Sequence, residues 1–214
     1  MAKLRVHNFS ISLDGYGAGA DQDLEHPLGV GGRRLHEWVF ETRGGREMIG
    51  ETGGQTGVDD DFMRRGDEGI GATIIGRNMF GPIRGDWGAD EWKGWWGDVP
   101  PYHHEVFVLT HHAHAPIAMD GGTTFNFVTD GIESALERAF AAANGKDVRL
   151  GGGVSTVQQY LRAGLLDELH VAVTPVLLGR GERLFADLGD AIDAYEVTEY
   201  VPSPSVAHYR ITRR

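Results

Sequence analysis

The spacing of apolar residues predicts a chain in which strands alternate with helices. Apolar runs and period-two alternation indicate strands over residues 3–12, 72–76, 105–110 and 171–174. Apolar residues three and four positions apart predict a helix directly behind Gly153, and a second helix after a cap at Thr129 or Asp130. Alternation of this kind is typical of the α/β fold class.

The C-terminal region predicts an antiparallel hairpin that closes the sheet. Apolar and polar residues alternate over residues 194–201 and 205–212, and Pro202-Ser203-Pro204 turns the chain between them. Residues 58–66 read as a short helix, because the acidic run near its start is favourable at a helix N-terminus. The sheet is therefore expected to be mixed.

Three consecutive glycines separate a strand from the helix behind them. Gly151, Gly152 and Gly153 let the backbone approach a ligand closely, and a helix N-terminus offers unpaired N–H groups and a partial positive charge. These features favour a phosphate or pyrophosphate. A plain strand-to-helix turn explains the glycines equally well, and Thr156 stands where the Rossmann fingerprint has its third glycine.

Two further strand ends carry residues that suit a nucleotide. One strand ends at Gly76-Arg77, where the planar guanidinium can bind an additional phosphate. Another ends at Thr110-His111, where small polar side chains can flank a ribose or an adenine. Three such strand ends together predict one nucleotide-binding site.

In these motifs the chain resembles the dihydrofolate reductase-like superfamily, and within it the reductase domain of bacterial riboflavin biosynthesis and its single-domain relatives. The matching segments cover nearly the whole chain; they are residues 10–15 (Ser-x-Asp-Gly), 76–77, 110–111, 151–156, 166–170 and 174–185. The resemblance implies a three-layer α/β fold with a central mixed sheet and a C-terminal antiparallel hairpin. It also implies a homodimer, whose subunits are expected to meet along residues 169–178.

The resemblance further implies NADPH as the cofactor. Arg77 would contact the adenosine 2′-phosphate and select NADPH over NADH. The cofactor-binding residues it assigns are Gly76, Arg77, Asn78, Met79, Thr110, His111, Gly151, Gly152, Gly153, Val154, Ser155 and Thr156. Asp14 is the implied catalytic residue, beside the nicotinamide and the substrate, and desolvation is expected to raise its pKa. On local sequence alone, Asp14-Gly15 reads as a turn.

The substrate region departs from both branches of the superfamily. Dihydrofolate reductases carry a substrate-binding carboxylate on the first long helix, where this chain has Leu35 or His36. The candidate substrate residues are therefore Glu37 and Trp38 on that helix and Trp92 in the tryptophan-rich segment 87–96. That segment equally suits packing onto the core or across a dimer.

Composition restricts the location and the partners. A formal net charge of −11 opposes binding to nucleic acid or to an anionic membrane, so a small-molecule substrate is expected. The lack of cysteine excludes disulfides and thiolate catalysis. Without a leader or a membrane-spanning apolar run, a cytoplasmic single domain over residues 1–214 is expected. The glycine-rich loops 15–32 and 44–57 are expected to be lids or disordered tips.

The expected function is NADPH-dependent hydride transfer to a small heterocycle, either pterin-like or pyrimidine-like. A nucleotide- or flavin-binding module without turnover is the alternative, which the missing helix carboxylate favours. Five histidines between residues 103 and 114 raise the question of a metal site. Because they lack a recognisable ligand spacing, no metal is expected.

Overall fold

The computed structural model describes residues 1–83, 85–87 and 92–214; residues 84 and 88–91, which include part of the tryptophan-rich segment, lie outside the described residues. The strands are β1 (Leu4–Ser12), β2 (Tyr16–Ala18), β3 (Ile70–Gly76), β4 (Glu105–Leu109), β5 (Ile117–Ala118), β6 (Thr124–Val128), β7 (Asp147–Gly152), β8 (Glu168–Thr174), β9 (Glu182–Arg183), β10 (Tyr195–Pro202) and β11 (Ala207–Arg213). The α-helices are α1 (Glu37–Glu41), α2 (Arg43–Met48), α3 (Val58–Arg65), α4 (Arg77–Phe80), α5 (Ile132–Ala142) and α6 (Val154–Arg162). Short 3-10 helices cover Gly32–His36, Asp120–Gly122 and Gly189–Ala194.

The main sheet is mixed and has the strand order β10-β11-β8-β1-β7-β3-β4-β6-β5. The six strands from β8 to β6 in this order run parallel. The β10–β11 hairpin and the β11–β8 and β5–β6 pairs are antiparallel. The predicted α/β fold class, mixed sheet and C-terminal hairpin are confirmed.

Helices cover both faces of the sheet. On one face, α5 and α6 bury Ala139 and Val157 against strand residues such as Val148 and Leu150. On the other face, Trp38 and Met63 from α1 and α3 pack in a smaller apolar cluster. Helix α5 occurs where its apolar stripe predicts it, but its cap differs. Gly131 is the N-cap residue, and Asp130 instead accepts hydrogen bonds from the side chains of Ser134 and Arg138.

The two glycine-rich loops contain regular structure that the sequence did not predict. In the first loop, β2 pairs with β9 in a separate two-stranded sheet. A Cβ added to Gly29 would lie 2.2 Å from the carbonyl oxygen of Gly19, so this chain reversal requires glycine. In the second loop, α2 begins at a Thr42 side chain that caps the backbone N–H of Gly45.

The predicted dimer surface at residues 169–178 is wrong for most of its length. Strand β8 pairs with β1 on one side and with β11 on the other, so neither edge is open to a second subunit. Leu169 and Ala172 are fully buried, whereas Leu177 in the following loop is exposed. The part of the chain that the structure describes has no helix that combines the length and the apolar character required to cross a membrane.

Candidate functional site

The carboxyl ends of β7, β3 and β4 form the floor of a cavity of about 700 Å³. These three strands are neighbours and run parallel, so their ends meet at one edge of the sheet. Of the predicted cofactor residues, Gly76, Arg77, Asn78, Met79, Thr110, His111, Gly151, Gly153, Val154, Ser155 and Thr156 line the cavity. Gly152 is not among the described lining residues. The fold thus brings residues from three separate motifs into one site.

Close packing of the end of β3 against the Thr156 side chain of α6 shapes the centre of this site. A Cβ added to Gly76 would lie 2.3 Å from Thr156 Oγ1, so glycine lets the end of β3 lie against the first turn of α6. At Gly153, φ is −71° and no described atom lies within 4 Å of the place a Cβ would take. Gly153 therefore leaves open space beside the N-terminus of α6.

Arg77 lies at the rim of the cavity and contacts the segment that follows α4. Its guanidinium carbon is 3.9 Å from the centre of the Trp87 ring, and its Nη1 donates to the Gly85 carbonyl. Trp87 Nε1 in turn donates to the carbonyl oxygen of His112, 2.8 Å away. These contacts place a cation at the edge where the three strands end.

A second compartment continues the cavity over the face of the sheet that α1–α3 cover. Its polar lining comes from β1 and β7 and from the 3-10 helix before α1, and its apolar lining comes from α1–α3 and the loop before β4. The residues are His7, Asn8, Ser10, His36, Val39, Phe40, Met48, Met63, Trp96 and Arg149. Desolvation lowers the pKa of His36 to about 4, so this imidazole is neutral near pH 7.

The predicted substrate residues on α1 do not lie in this compartment. Glu37 is exposed, and Trp38 is buried with its Nε1 donating to Ser10 Oγ at 2.9 Å. Their neighbours His36, Val39 and Phe40 line the cavity instead. The lining residues differ from the predicted ones because a 3-10 turn joined to a five-residue α-helix changes the direction of successive side chains. A substrate role for Glu37 and Trp38 stays a prediction.

Trp92 also lies away from the described cavity lining. Its Nε1 donates to the Phe80 carbonyl at 2.8 Å, and its ring meets the edge of Trp95 with centroids 4.7 Å apart. Trp96, four residues further on, lines the cavity. In this structure Trp92 therefore connects its segment to the end of α4 by a hydrogen bond.

The expectation of a raised pKa for Asp14 is wrong. A hydrogen bond from the Ser12 side chain, together with bonds from the backbone N–H groups of Leu178 and Gly179, lowers the pKa of Asp14 to about 2. The two backbone distances are 3.1 and 2.7 Å. Asp14 is not among the described residues that line the cavity. Its carboxylate holds the loop after β8, and its catalytic role stays a prediction.

Sequence reasoning missed a buried histidine–carboxylate pair beside the second compartment. His7 Nε2 lies 3.2 Å from Glu168 Oε1, and Arg210 Nη2 lies 2.7 Å from Glu168 Oε2. Burial would raise the pKa of Glu168, but the hydrogen bonds from His7 and Arg210 outweigh it and lower the pKa to about 2. Burial, opposed by the Glu168 bond and assisted by Arg5 and Arg149, lowers the pKa of His7. Near pH 7 the pair is therefore a neutral imidazole and an ionised carboxylate.

The family of the RibD C-terminal domain matches residues 5–199, and the chain therefore belongs to this family. The resemblance to the reductase domain of riboflavin biosynthesis is confirmed. The uncharacterized protein YyaP of Bacillus subtilis (strain 168) is 41% identical over 67 residues. That match spans 31% of this chain and 35% of the relative, so it covers about a third of each protein.

Solved structures share the fold of this chain. A riboflavin biosynthesis protein from Shewanella sp. PV-4 superposes with a TM-score of 0.63 and 22% identity, covering 100% of this chain and 99% of that one. The diaminohydroxyphosphoribosylaminopyrimidine deaminase/5-amino-6-(5-phosphoribosylamino)uracil reductase of Thermotoga maritima superposes with a TM-score of 0.56 and 13% identity. This chain covers only 57% of that two-function protein. Within the described ranges, no group of three or more His, Asp or Glu side chains is placed to hold a metal ion.

Proposed function

We propose that the protein is an NADPH-dependent reductase that transfers a hydride to a small heterocycle, pterin-like or pyrimidine-like. The observation that carries the proposal is the convergence of three separate motifs on one cavity: Gly76-Arg77, Thr110-His111 and the loop before α6. Membership of the RibD C-terminal domain family and the reductase activity in the Thermotoga relative's name support the reaction class.

The chain's own residues fit a dinucleotide phosphate. The backbone at Gly153 leaves room for a pyrophosphate at the N-terminus of α6, where unpaired N–H groups favour an anion. Arg77 is the cation at the rim that would bind the 2′-phosphate in its guanidinium plane, while its face stacks on Trp87. When bound, NADPH supplies the hydride; the protein binds, orients and shields the reactants from water.

The second compartment provides a place for the substrate next to the cofactor site. Val39, Phe40 and Met63 give it an apolar wall suited to a flat ring, and His7 and His36 add neutral polar groups. Both compartments belong to one continuous cavity, so a ring here would share that cavity with the cofactor-binding residues. A homodimer remains a prediction of the family resemblance, and a cytoplasmic location remains a prediction of the sequence composition.

The test is cofactor binding, measured by tryptophan fluorescence and thermal melting with NADPH, NADH and FMN. We expect NADPH to bind best and to raise the melting temperature. Arg77→Ala should weaken NADPH binding about tenfold to a hundredfold, because it removes a charge-assisted contact, and should leave NADH binding nearly unchanged. Arg138→Ala, which removes an exposed arginine paired with Asp130, is the matched control.

Binding of FMN in place of NADPH would overturn the proposal and favour the flavin-binding module. Binding of NADPH without its oxidation by any pterin or pyrimidine offered would favour a nucleotide-binding module without turnover.

A further inference from the structure

The strand that crosses the second compartment is interrupted by a bulge. The register between β1 and β8 shifts between Val6 and Phe9, so His7 and Asn8 together face one residue of the partner strand. Asn8 has a φ of 56°, a conformation that asparagine tolerates better than most residues. Both residues of the bulge line the cavity. Regular alternation would turn one of them to the opposite face of the sheet.

The hydrogen bonds of His7 determine which of its ring nitrogens can accept. An ionised Glu168 only accepts, so the 3.2 Å contact requires a proton on His7 Nε2. Arg5 Nη1 is also 3.4 Å from this nitrogen, but Arg5 is held more closely by Asp147 at 2.8 Å. Since the imidazole is neutral, Nδ1 carries a lone pair.

Asn8 offers a second acceptor next to the first. Its Nδ2 donates to the carbonyl oxygen of Met63 at 3.2 Å, which fixes the orientation of the amide. Both Asn8 Oδ1 and His7 Nδ1 are buried and have no hydrogen-bond partner among the described residues. The His7 residue as a whole is 9% exposed. Buried acceptors without partners are costly, so a ligand that supplies donors here is favoured.

We propose that the bulge of β1 is a recognition subsite in which His7 Nδ1 and Asn8 Oδ1 accept hydrogen bonds from a neutral N–H edge of the substrate heterocycle. This inference rests on the proposed function and names the edge by which that substrate is held. Neither acceptor was assigned to the site from the sequence.

The charges around the bulge select a neutral donor over a cation. Arg5 and Arg149 face it from β1 and β7, Arg210 faces Glu168 from β11, and Glu168 is the nearest carboxylate, on β8. Burial and the two arginines on β1 and β7 already disfavour a positive charge on His7. They disfavour a protonated amine or amidinium on the ligand for the same reason. A carboxylate in place of these two acceptors would instead favour a cationic ligand.

The probe is 2-aminopyrimidin-4(3H)-one, a neutral ring with adjacent amino and ring N–H donors, titrated into the full chain by calorimetry. Its 3-methyl derivative, which lacks the ring donor, is the matched ligand. We expect the methyl derivative to bind at least about fivefold more weakly, since an acceptor is then buried without a partner. A protonated 2,4-diaminopyrimidine should bind more weakly than the neutral ring.

Two variants test the two acceptors separately, and a third serves as the control. His7→Gln keeps a side-chain amide near the Glu168 contact but withdraws the acceptor at the Nδ1 position, and should weaken binding at least about fivefold. Asn8→Gly removes Oδ1 while tolerating the positive φ, with the same expected loss. His26→Gln, at an exposed histidine, should bind as wild type. Melting temperatures show whether each variant is folded.

Equal affinity for the parent ring and its methyl derivative would overturn the inference, as would unchanged binding in both His7→Gln and Asn8→Gly. Absence of ring binding by a wild-type sample that binds NADPH would also overturn it, with the proposed function left standing. Donor-dependent ring binding by a protein that ignores NADPH would uphold the subsite and reject the reductase.

Discussion

His170 and His208 are joined by a buried hydrogen bond, with 3.0 Å between His170 Nε2 and His208 Nδ1. The backbone N–H of Asn8 donates to His170 Nδ1 at 3.0 Å, so His170 carries its proton on Nε2 and donates it to His208. His208 Nε2 then donates to Asp59 Oδ1 at 2.8 Å. One directed chain of hydrogen bonds therefore connects the bulge of β1 to the first turn of α3.

Aromatic packing holds this chain of histidines in place. The Phe62 ring is stacked on both imidazoles, with centroids 4.6 Å from His170 and 4.1 Å from His208. The directed pattern requires both imidazoles to be neutral. A second proton on either Nδ1 would face the N–H group that donates to that nitrogen. Burial is the main cause that lowers the pKa of each.

Acid is therefore expected to destabilise the protein before any carboxylate titrates. Between its lowered native pKa and about 6.5, each histidine binds more protons in the unfolded chain than in the folded one. The free energy of unfolding therefore rises with pH across this window. The stabilisation is fully present above the window and is lost as the pH falls through it. At pH 5 the loss amounts to roughly 2 kcal/mol for His170, whose native pKa is lowered to about 2, and His208 adds a loss of the same sign. Urea unfolding at pH 7, 6 and 5 measures it, and a midpoint that stays constant to pH 5 would contradict it.

Gly153→Ala is expected to abolish cofactor binding without loss of stability. The backbone at Gly153 is extended and a new methyl group meets no described atom within 4 Å, so the melting temperature should change little. The methyl group would occupy the space at the N-terminus of α6 where a pyrophosphate must approach. NADPH titration followed by fluorescence measures the loss.

The matched variant is Gly76→Ala, in which the new Cβ would lie 2.3 Å from Thr156 Oγ1. This variant should lower both the melting temperature and the affinity, because the Thr156 side chain at the start of α6 must move away from β3. Normal NADPH binding by a stable Gly153→Ala protein would show that the dinucleotide lies elsewhere.

The tryptophan at the rim is expected to report cofactor binding. A phosphate bound to Arg77 would change the stacking of its guanidinium on Trp87, 3.9 Å away, and hence the fluorescence of that ring. Trp87→Phe should remove a large part of the signal that NADPH produces, while calorimetry shows that binding persists. Trp95→Phe, which alters the packing against Trp92, serves as the comparison. An undiminished signal in Trp87→Phe would mean that the phosphate does not approach Arg77.

Motifs that are local in sequence could be predicted, and pairings between distant residues could not. Gly76-Arg77 and residues 151–156 each join a strand to a helix, so their spacing alone indicates both the element and the end at which the site lies. The contact between His7 and Glu168 joins residues 161 positions apart. Neither side chain has a neighbour in sequence that marks it as part of a site.

Short elements were the other source of error. The side of α1 that faces the cavity depends on a 3-10 turn at Gly32–His36, which no periodicity over five residues can reveal. The glycines of α2 obscured a helix that starts at a threonine cap and packs on α3. Tertiary contacts determine the conformation of these segments and override their local propensity.

Asp14 is expected to hold a loop rather than to transfer a proton. Both of its carboxylate oxygens accept from backbone N–H groups, those of Leu178 and Gly179, and its pKa of about 2 leaves it ionised at any working pH. In Asp14→Asn the amide retains one acceptor oxygen, so one of these N–H groups loses its partner and amide hydrogen exchange at Leu178 and Gly179 should accelerate about tenfold. NADPH affinity and the pH dependence of any turnover should stay as in wild type. Loss of turnover with unchanged cofactor affinity and unchanged exchange would instead assign Asp14 to the chemistry.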